Sequence, residues 1–392
     1  MINVAIMGYG TIGSGVAHII EENKDRIKRN AEDEINLKYV LDVREFEGDP
    51  INEKIVHDYH TLSEDRDVDI VVETMGGIEP AFTFVMEMLT HGKHVVTSNK
   101  ALVAAKGPEL IAAAADHKVN FFFEASVGGG IPIIRNLFTC ITGDEIDEIS
   151  GIINGTTNFI LTKMYKEGVD FDTALREAQE LGYAEKDPTC RKIAILTAVV
   201  LGQQVNFEEI YTEGITRIDS ADISYAKELD CCIKLIATSR RVPGQGYVAM
   251  VAPFMVENSH PLAQVNYAFN AIFVKGNMLG DSMFYGSGAG SLPTASAVLG
   301  DIVDAARHLD RHLPIIYDVE PAKLLDKGIF TGKFFIRTDS PEADVMAAFP
   351  GGRVVRTGGK SEEYGYLTEE LSEADYDKNS KKINVKGMIR YK

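Results

Sequence analysis

The sequence predicts an α/β fold: an N-terminal parallel sheet covered by helices, then an α+β region, then a short C-terminal α+β extension. Three observations support this prediction. Short apolar strands alternate with helices over the first third of the 392-residue chain, as is typical of parallel sheets buried on both faces. A glycine-rich turn follows the first strand. Beyond residue 135 the strict alternation is lost, and after residue 330 glycine and charged residues become more frequent.

The first region, residues 1–135, contains short apolar segments that we interpret as strands. They are residues 2–7, 37–41, 68–72, 95–96 and 121–123. Helices are predicted over 14–20, 81–91 and 108–117. Because strands and helices alternate without a break, we expect one domain with all of these strands in a single sheet.

A glycine motif, Gly8-Tyr9-Gly10-Thr11-Ile12-Gly13, lies between the first strand and the first helix. In a nucleotide-binding turn, Gly8 permits the tight turn, Gly10 lets the backbone approach a pyrophosphate, and Gly13 lets the helix pack on the strand. The helix N-terminus attracts the anion. A purely structural turn has the same glycines, but the strand before and the helix after favour a Rossmann-like, dinucleotide-binding domain.

The second predicted strand is followed by Asp42, Val43 and Arg44. An acid at this place accepts the ribose 2′-hydroxyl of NAD, whereas a nearby arginine accommodates the 2′-phosphate of NADP. Both residue types are present, so both cofactors stay open. Arg44 favours NADP, and a solvated surface cation is the alternative interpretation of that residue.

Polar residues follow the later strands of the predicted sheet. Thr74 follows one strand, Asn99 and Lys100 follow the next, and Glu124 follows the last. Ligands of open α/β sheets bind at the carboxyl ends of the strands. We therefore favour a functional role for Lys100 over that of a surface lysine.

The second region, residues 136–330, mixes strands and helices in a different rhythm. Helices are predicted over 172–181, 191–201 and 295–309, and strands over 247–256 and 267–274. Gly182 is placed to end the first of these helices. Residues 331–392 contain three predicted strands, within KFFIRT, EYGYLT and KINVKGMIRY. We interpret the second region as an α+β substrate domain and the third as a small appended domain or an oligomerisation tail.

Several polar motifs beyond the first sheet are candidates for chemistry. The glycine run at 126–132 offers backbone groups to an ion or cofactor, or forms a hinge between domains. The polar turn at 154–158 offers small donors and acceptors, or caps the following helix. Glu185 or Asp187 can hold a substrate ammonium, and Lys192 is a candidate proton donor.

Composition excludes several classes of partner. The chain has 40 Lys and Arg against 58 Asp and Glu, a net charge of −18. Such a protein repels nucleic acids and anionic membrane surfaces. The 4 cysteines form no C-x-x-C pair, which favours free thiols in a reducing compartment. No basic leader and no membrane-length apolar stretch is visible, so we expect a cytoplasmic protein.

Taken together, these segments closely resemble homoserine dehydrogenases. The resemblance is carried by a series of motifs in the right order over about residues 1–310. They are GYGTIGSGV at 8–16, VVTSNKALVA at 95–104, FEASVGGGIPI at 123–133, INGTTNFILTKM at 153–164, EAQELGYAEKDPT at 177–189 and FNAIFVKGNMLGDSMFYGSGAGSLPTASAV at 269–298. The resemblance implies reversible oxidation of L-homoserine to L-aspartate 4-semialdehyde with NAD or NADP, in threonine and methionine biosynthesis.

The resemblance also implies roles for individual residues. Lys192 is implied as the proton-transfer residue with Lys100 nearby, and substrate is expected at Glu185, with Asn154, Thr156 and Asp187 as further candidates. Cofactor contacts are implied at Thr11, Ile12, Thr74, Lys100, Gly182 and Gly290. A monovalent cation such as sodium is implied at Glu124, Val127, Gly129 and Ile131. A homodimer or homotetramer is expected from the same resemblance.

The sequence departs from the family after Thr189-Cys190. Relatives have an acidic segment of the form D-x-x-G-x-D at this point, which contributes a substrate-contacting carboxylate. Here Cys190 joins directly to Arg191 and Lys192. Either part of the site has been lost, or a mobile loop is missing from the sequence as it stands; the intact flanks favour the second explanation.

Two rival functions remain open at this point. A catalytically impaired regulator that binds NAD(P) or an amino acid would follow from a true loss of the acidic segment. A phosphorylating semialdehyde dehydrogenase needs an activated cysteine nucleophile, and no cysteine lies in a glycine-rich or histidine-flanked turn. Residues 331–392 resemble a regulatory ACT domain faintly, without its D-x-P-G turn, and we do not predict threonine inhibition.

Overall fold

The computed structural model describes residues 1–182, 189–358 and 362–392, and the chain divides into two compact units. The first unit comprises residues 1–143, 194–206 and 286–322, and the second comprises 144–193, 207–285 and 323–392. Each unit is therefore assembled from three separate stretches of chain. Within the described ranges, no helix is long and apolar enough to cross a membrane.

The elements up to residue 143 alternate as the sequence predicts. The strands are β1 (Ile2–Met7), β2 (Ile35–Leu41), β3 (Ile55–Val56), β4 (Ile70–Glu73), β5 (His94–Thr97) and β6 (Phe121–Phe122). The helices are α1 (Thr11–Glu22), α2 (Lys24–Ala31), α3 (His60–Glu64), α4 (Ala81–Thr90), α5 (Lys100–Asp116) and α6 (Ile134–Thr139).

The later elements are richer in antiparallel strands. These strands are β7 (Ile146–Ile152), β8 (Gln203–Val205), β9 (Tyr211–Thr212), β10 (Cys231–Val242), β11 (Gly246–Glu257), β12 (Phe269–Gly276), β13 (Gly280–Ser287), β14 (Asp318–Ala322), β15 (Thr331–Thr338), β16 (Arg353–Val355), β17 (Tyr364–Leu367), β18 (Leu371–Ser372) and β19 (Val385–Tyr391). The helices are α7 (Gly155–Glu167), α8 (Phe171–Glu180), α9 (Thr189–Leu201), α10 (Ser220–Glu228), α11 (Ser291–Ala306), α12 (Glu342–Ala348) and α13 (Glu373–Asn379).

The first unit is built on a six-stranded sheet in the order β3-β2-β1-β4-β5-β6. Every neighbouring pair of these strands is parallel. β4 and β5 are buried along their whole length, because a parallel sheet is covered on both faces. The predicted N-terminal Rossmann-like sheet is confirmed, and its strands all end at one edge.

Helix α11 packs against α1 within the first unit. A Cβ atom on Gly15 would lie 2.6 Å from Ser291 Oγ and 3.1 Å from the Cβ of Ala295, so the two helices approach closely at this glycine. Ser291 Oγ also donates to the carbonyl oxygen of Thr11 at 2.5 Å. Residues 286–322 therefore belong to the first unit by their contacts. The predicted domain boundaries at residues 135 and 330 stay a prediction.

The second unit is built on an 11-stranded mixed sheet. Its main order is β13-β12-β7-β10-β11-β19-β15-β17-β16, with β9 beside β11 and β18 beside β15. β10 and β11 pair antiparallel from Cys231↔Glu257 to Val242↔Gly246. The first nine residues of β10 are all buried. Sequence reasoning did not predict β10, because a strand buried on both faces has no apolar–polar alternation to reveal it.

The C-terminal extension contributes its strands to this same sheet. β19 is parallel to β11 on one side and antiparallel to β15 on the other. Arg390 of β19 is 2% exposed, and it forms ion pairs with Glu373 and, at 2.8 Å, with Glu213. The predicted strands in KFFIRT, EYGYLT and KINVKGMIRY are confirmed as β15, β17 and β19.

Two predicted helices have different ends in the structure. The helix predicted over 108–117 is longer in the structure and spans Lys100–Asp116. It begins at Lys100, because the Asn99 side chain accepts a hydrogen bond from the backbone N–H of Leu102 at 3.1 Å. The helix predicted over 295–309 spans Ser291–Ala306. Gly182 does follow α8 with a φ of +73°, as predicted for a terminating glycine.

Candidate active site

The glycine turn has the geometry that an approaching pyrophosphate needs. Gly8 has a φ of +96°, which favours glycine. A Cβ on Gly13 would lie 2.0 Å from the carbonyl oxygen of Gly8, so only glycine fits between turn and helix. A Cβ on Gly10 would have open space around it. Because α1 begins without a side-chain cap, its first N–H groups are available to an anion.

A pocket of about 370 Å³ opens beside this turn, within the first unit. It is lined by Gly8, Gly10, Leu41, Asp42, Val43, Arg44, His57, Tyr59, Thr74, Met75, Pro80 and Phe84. Tyr59 and Phe84 stack with their ring centroids 4.1 Å apart. An apolar wall with a few polar groups suits a nucleotide base and ribose. Sequence reasoning missed this aromatic wall, since its residues come from separate segments that no single motif joins.

Asp42 and Arg44 are joined in a two-point ion pair at the edge of this pocket. Arg44 Nε and Nη2 each donate to the Asp42 carboxylate at 2.9 Å. The same carboxylate accepts the backbone N–H of Tyr9 at 2.8 Å. The Arg44 side chain holds the pKa of Asp42 far below its usual range. The acid is thus occupied, while the Arg44 side chain remains 57% exposed.

Glu73 and Thr74 organise the end of β4. The Glu73 carboxylate is fully buried and accepts hydrogen bonds from the Thr97 hydroxyl at 2.5 Å and the Asn99 amide at 3.3 Å. Burial raises the pKa of Glu73, and these hydrogen bonds act against that rise. Thr74 Oγ1 donates to the Gly8 carbonyl oxygen at 2.7 Å. These contacts tie the ends of β1, β4 and β5 together beside the glycine turn.

Lys100 occupies the first position of α5 and is half-buried. A cation at a helix N-terminus faces the positive end of the helix dipole and is unfavourable there by a few tenths to about 1 kcal/mol. Asn99 caps the helix, and its side-chain amide donates to the carbonyl oxygen of Gly77, in the loop after β4, at 2.6 Å. A charge that conflicts with its local structure is typical of a functional position.

Glu124 lies at the end of the sheet and caps α6. Its carboxylate accepts the backbone N–H groups of Ile133 at 2.6 Å, Ile134 at 2.8 Å and Arg135 at 2.7 Å. Burial raises the pKa of Glu124, and the three N–H groups oppose the rise. Among the described residues, no donor bonds to the carbonyl oxygens of the other predicted cation ligands. Those residues are Val127, Gly129 and Ile131.

A buried acid that sequence reasoning missed joins Glu124 to α11. Asp301 accepts the backbone N–H of Glu124 at 2.9 Å and pairs with the Arg135 guanidinium. Burial raises the pKa of Asp301 to about 7, although Arg135 opposes this. In the sequence, Asp301 sits between apolar residues of a helix and nothing marks its distant partners. These three charged groups connect the sheet edge, α6 and α11 inside the first unit.

In the second unit, Lys192 lies close to the predicted substrate turn. Lys192 is 5% exposed, and its ammonium donates to the carbonyl oxygen of Ile153 at 3.0 Å. Asn154 caps α7 by accepting the N–H of Thr157 at 3.0 Å, and its amide donates to Thr189 Oγ1 at 3.3 Å. The capping alternative for Asn154 is therefore confirmed. Its role toward substrate stays a prediction.

The remaining predicted residues are placed as follows. Glu185 and Asp187 lie outside the described residues. Thr156 is the second residue of α7 and is half-buried. Gly290 precedes α11 with a φ of +117°. Thr11 and Ile12 open α1. Cys190 and Arg191 form part of the first turn of the continuous helix α9, so the junction where relatives have an acidic segment lies within that helix.

Comparisons with protein families match both parts of the chain. A family described as "Homoserine dehydrogenase, NAD binding domain" matches residues 8–124. A second, described as "Homoserine dehydrogenase", matches residues 132–303. Together they cover strands β2 to β6 of the parallel sheet and the stretch that contains Asn154, Lys192 and most of α11.

Individual relatives agree with these family matches. The homoserine dehydrogenase of Bacillus subtilis is 40% identical over 320 residues, which is 79% of this chain and 73% of that protein. A crystal structure of a homoserine dehydrogenase from Thiobacillus denitrificans superposes with a TM-score of 0.90 at 35% identity, covering 100% and 98% of the two chains. A hyperthermophilic archaeal homoserine dehydrogenase in complex with NADPH has a TM-score of 0.64 at 29% identity, over 78% and 97%.

Proposed function

Because the chain belongs to the homoserine dehydrogenase family, it is an NAD(P)-dependent oxidoreductase acting on a CH–OH group, and we propose that Lys192 is its proton-transfer residue. The reaction interconverts L-homoserine and L-aspartate 4-semialdehyde. The observation that supports the proposal is a nearly buried lysine beside the 154–158 turn. The rival interpretation as a catalytically impaired regulator is not favoured, since the family matches span both regions.

In the proposed reaction, the proton and the hydride of homoserine are transferred to different groups. When bound, the nicotinamide accepts the hydride that leaves C4 of homoserine. Lys192 takes the hydroxyl proton, and in the reverse direction it donates that proton to the aldehyde oxygen. Its hydrogen bond to the Ile153 carbonyl orients the amine, and burial keeps water from competing for the proton. Lys100 is proposed as a second lysine for the same step.

Substrate binding is proposed at the turn that precedes α7. Asn154 and Thr156 lie on this turn and the first turn of the helix, where small donors and acceptors suit the polar ends of homoserine. Glu185 is proposed to hold the substrate ammonium, because a carboxylate forms strong charge-assisted hydrogen bonds with it. Asp187 is kept as a further candidate. Gly182 and Gly290 are kept as cofactor contacts, together with Thr11, Ile12 and Thr74.

Replacing Lys192 tests the proton-transfer role. We expect Lys192→Met to lower kcat about 10³-fold with little change in the KM for homoserine, because general acid–base catalysis contributes roughly that much. Turnover is measured as reduced-nicotinamide absorbance with L-homoserine. Lys106→Met is the matched control, since Lys106 is paired with Glu109 on the surface of α5. An unchanged kcat in the Lys192→Met variant would show that Lys192 does not transfer the proton.

The same assay addresses the junction at Cys190-Arg191. A second chain carries an inserted acidic segment of the family form between these two residues. If the chain as it stands turns over homoserine, Lys192 acts without the extra carboxylate. If only the chain with the insertion is active, the carboxylate that relatives place there is required for turnover.

We propose NADP as the preferred cofactor. Arg44 is exposed at the pocket edge, whereas the carboxylate of Asp42 is already occupied by Arg44 and by Tyr9. The 2′-phosphate of NADP can therefore pair with Arg44, whereas the 2′-hydroxyl of NAD would have no free acceptor atom on Asp42. The relative solved with NADPH supports the same preference.

Truncating Arg44 tests the preference. We expect Arg44→Ala to lower kcat/KM with NADP by about 10- to 100-fold, the effect of losing one or two hydrogen bonds to a charged group. Activity with NAD should hold or rise, because Asp42 regains free acceptor atoms. Arg66→Ala, an exposed arginine in the same unit, serves as the control. An unchanged NADP-to-NAD ratio would contradict the role of Arg44.

We propose a monovalent cation site, sodium by preference, at the glycine run. The carbonyl oxygens of Val127, Gly129 and Ile131 accept no hydrogen bond from the described residues and are ligands of the kind that hard cations prefer. The Glu124 carboxylate already caps α6, so we propose it as the compensating charge more than as the main ligand. The cation would brace the loop between the sheet edge and α6.

Replacing sodium tests this site. At constant chloride concentration, we expect the melting temperature to be about 2 °C higher in sodium than in tetramethylammonium, because the latter ion is too large to bind. Glu124→Gln should abolish the difference by removing the compensating charge. Equal melting temperatures in the two salts would contradict the proposal, whatever the activity.

We propose that the chain forms a homodimer or homotetramer through the edge strand β13. Met283 and Tyr285 on this strand are 40% and 52% exposed, and Tyr285 stacks on exposed Phe269 with centroids 5.2 Å apart. An edge strand with exposed apolar side chains is a ready surface for pairing with a second copy.

Charged substitutions on β13 test the assembly. We expect a mass of two or four times 43.0 kDa by light scattering, and a single-chain mass for the Met283→Lys, Tyr285→Lys double variant. Ile316→Lys is the control, because Ile316 is equally apolar and 86% exposed in the other unit. If the double variant keeps the mass of the unaltered protein, β13 is not the interface.

Thiol chemistry is not part of the proposed mechanism. The 4 cysteines are free, and burial raises the pKa of the Cys231 thiol to about 11, which disfavours a nucleophilic thiolate. This argues against the phosphorylating semialdehyde dehydrogenase. Free thiols also support our proposal of a cytoplasmic location, which cell fractionation would test.

A further inference from the structure

Lys234 is a buried lysine whose surroundings contain no acid. It lies on β10 and is 2% exposed. Its ammonium donates to the carbonyl oxygen of Val265 at 2.6 Å and to Asn158 Oδ1 at 3.1 Å, both neutral groups. Within the described part of the chain, its third N–H has no partner and no carboxylate lies within ion-pair distance. A buried charge is normally paired, because its desolvation is expensive.

Lys93, another buried lysine, and the half-buried Lys392 differ from Lys234 in this respect. Lys93 donates to the carbonyl oxygens of Asp65 and Val68, and the charges of Asp65 and Asp69 oppose the effect of burial on its pKa. Lys392 pairs directly with Glu148.

For Lys234, burial lowers the pKa to about 8. Lys166 acts in the same direction, and only the Cys232 thiol acts against it. Because a pKa of about 8 leaves the amine mostly protonated at neutral pH, the positive charge still requires compensation.

A cavity of about 70 Å³ lies beside Lys234 within the second unit. Its polar lining consists of lysine, amide and hydroxyl groups, and contains no Asp or Glu. These groups belong to Thr162, Tyr165, Lys166, Lys234, Asn258, Gln264 and Asn266, and the Cys232 thiol also lines the cavity. Asp230 holds the Asn258 amide at 2.8 Å but does not line the cavity. A lining without acids is unexpected in a chain with 58 acidic and 40 basic residues.

We propose that this cavity binds a small inorganic anion of the halide class, chloride under ordinary conditions, against the ammonium of Lys234. About 10–15 Å³ of such space is enough for one water molecule, so the cavity has room for one halide together with water molecules around it. The anion accepts the third N–H of Lys234 and neutralises a charge that no described side chain balances.

The anion would stabilise the packing of α7 on the sheet. Lys234 holds Asn158 of α7, and the Asn158 amide donates to the carbonyl oxygens of Val265, Tyr267 and Phe269 at 3.2, 2.9 and 3.1 Å. A neutralised Lys234 keeps this chain of hydrogen bonds intact. The expected effect is therefore on stability, and it stands apart from the reaction that the enzyme catalyses.

Thermal unfolding in sodium chloride against sodium gluconate, at constant ionic strength, tests the proposal. Gluconate is a bulky organic anion and serves as the non-halide comparison. We expect chloride to raise the melting temperature by about 2 °C once its concentration is tenfold above its dissociation constant. Lys234→Met should lose this dependence. Lys93→Met, which removes a buried lysine near acids, should retain it.

Bromide provides a measurement that needs no variant. Crystals grown or soaked in sodium bromide should show an anomalous scattering peak in the cavity beside Lys234 Nζ. If the peak is absent, or if the unaltered protein and a folded Lys234→Met variant respond equally to chloride, the proposal is overturned. Because sodium is constant throughout, the result is independent of the proposed cation site.

Discussion

The interaction that joins the sheet edge to α6 and α11 in the first unit is a cluster of charges formed by Glu124, Arg135 and Asp301. Glu124 caps α6, Arg135 belongs to that helix, and Asp301 belongs to α11. Glu124 and Asp301 are buried, whereas the Arg135 side chain is 37% exposed. Removing Arg135 would leave the buried Asp301 without its charge partner, which is unfavourable because a buried charge needs compensation. Because α11 also packs on α1 at Gly15, the cluster supports the helix that follows the glycine turn.

Sequence reasoning predicted the features of this molecule that depend on residues close together in the chain. The glycine turn, the existence of the parallel sheet and the polar residues after its strands follow from short patterns along the chain. Asp301 could not be found this way, because its partners are more than 160 residues distant. β10 was not predicted for another reason, since burial on both faces removes the apolar–polar alternation that marks a strand. Asn154 shows a third case: the structure confirms that it caps α7, and its role toward substrate stays a prediction.

Three cations of the chain differ in how their charge is compensated. Lys100 lies at the positive end of a helix dipole, and Lys234 is buried without a described acid beside it. Arg44 shows the opposite arrangement, because its exposed guanidinium is fixed by a buried acid before any ligand arrives. The overall charge of −18 therefore does not describe the electrostatics around these individual side chains.

The interleaving of the two units has a consequence for synthesis on the ribosome. The first unit needs residues 286–322, and the central sheet of the second places β19 between β11 and β15. Neither unit can therefore close around its core while the N-terminal half alone has emerged. Early strands such as β1 and β7 must wait with their apolar surfaces uncovered, a state in which nascent chains are prone to aggregate. The order in which the chain emerges thus exposes apolar surface that the finished fold buries.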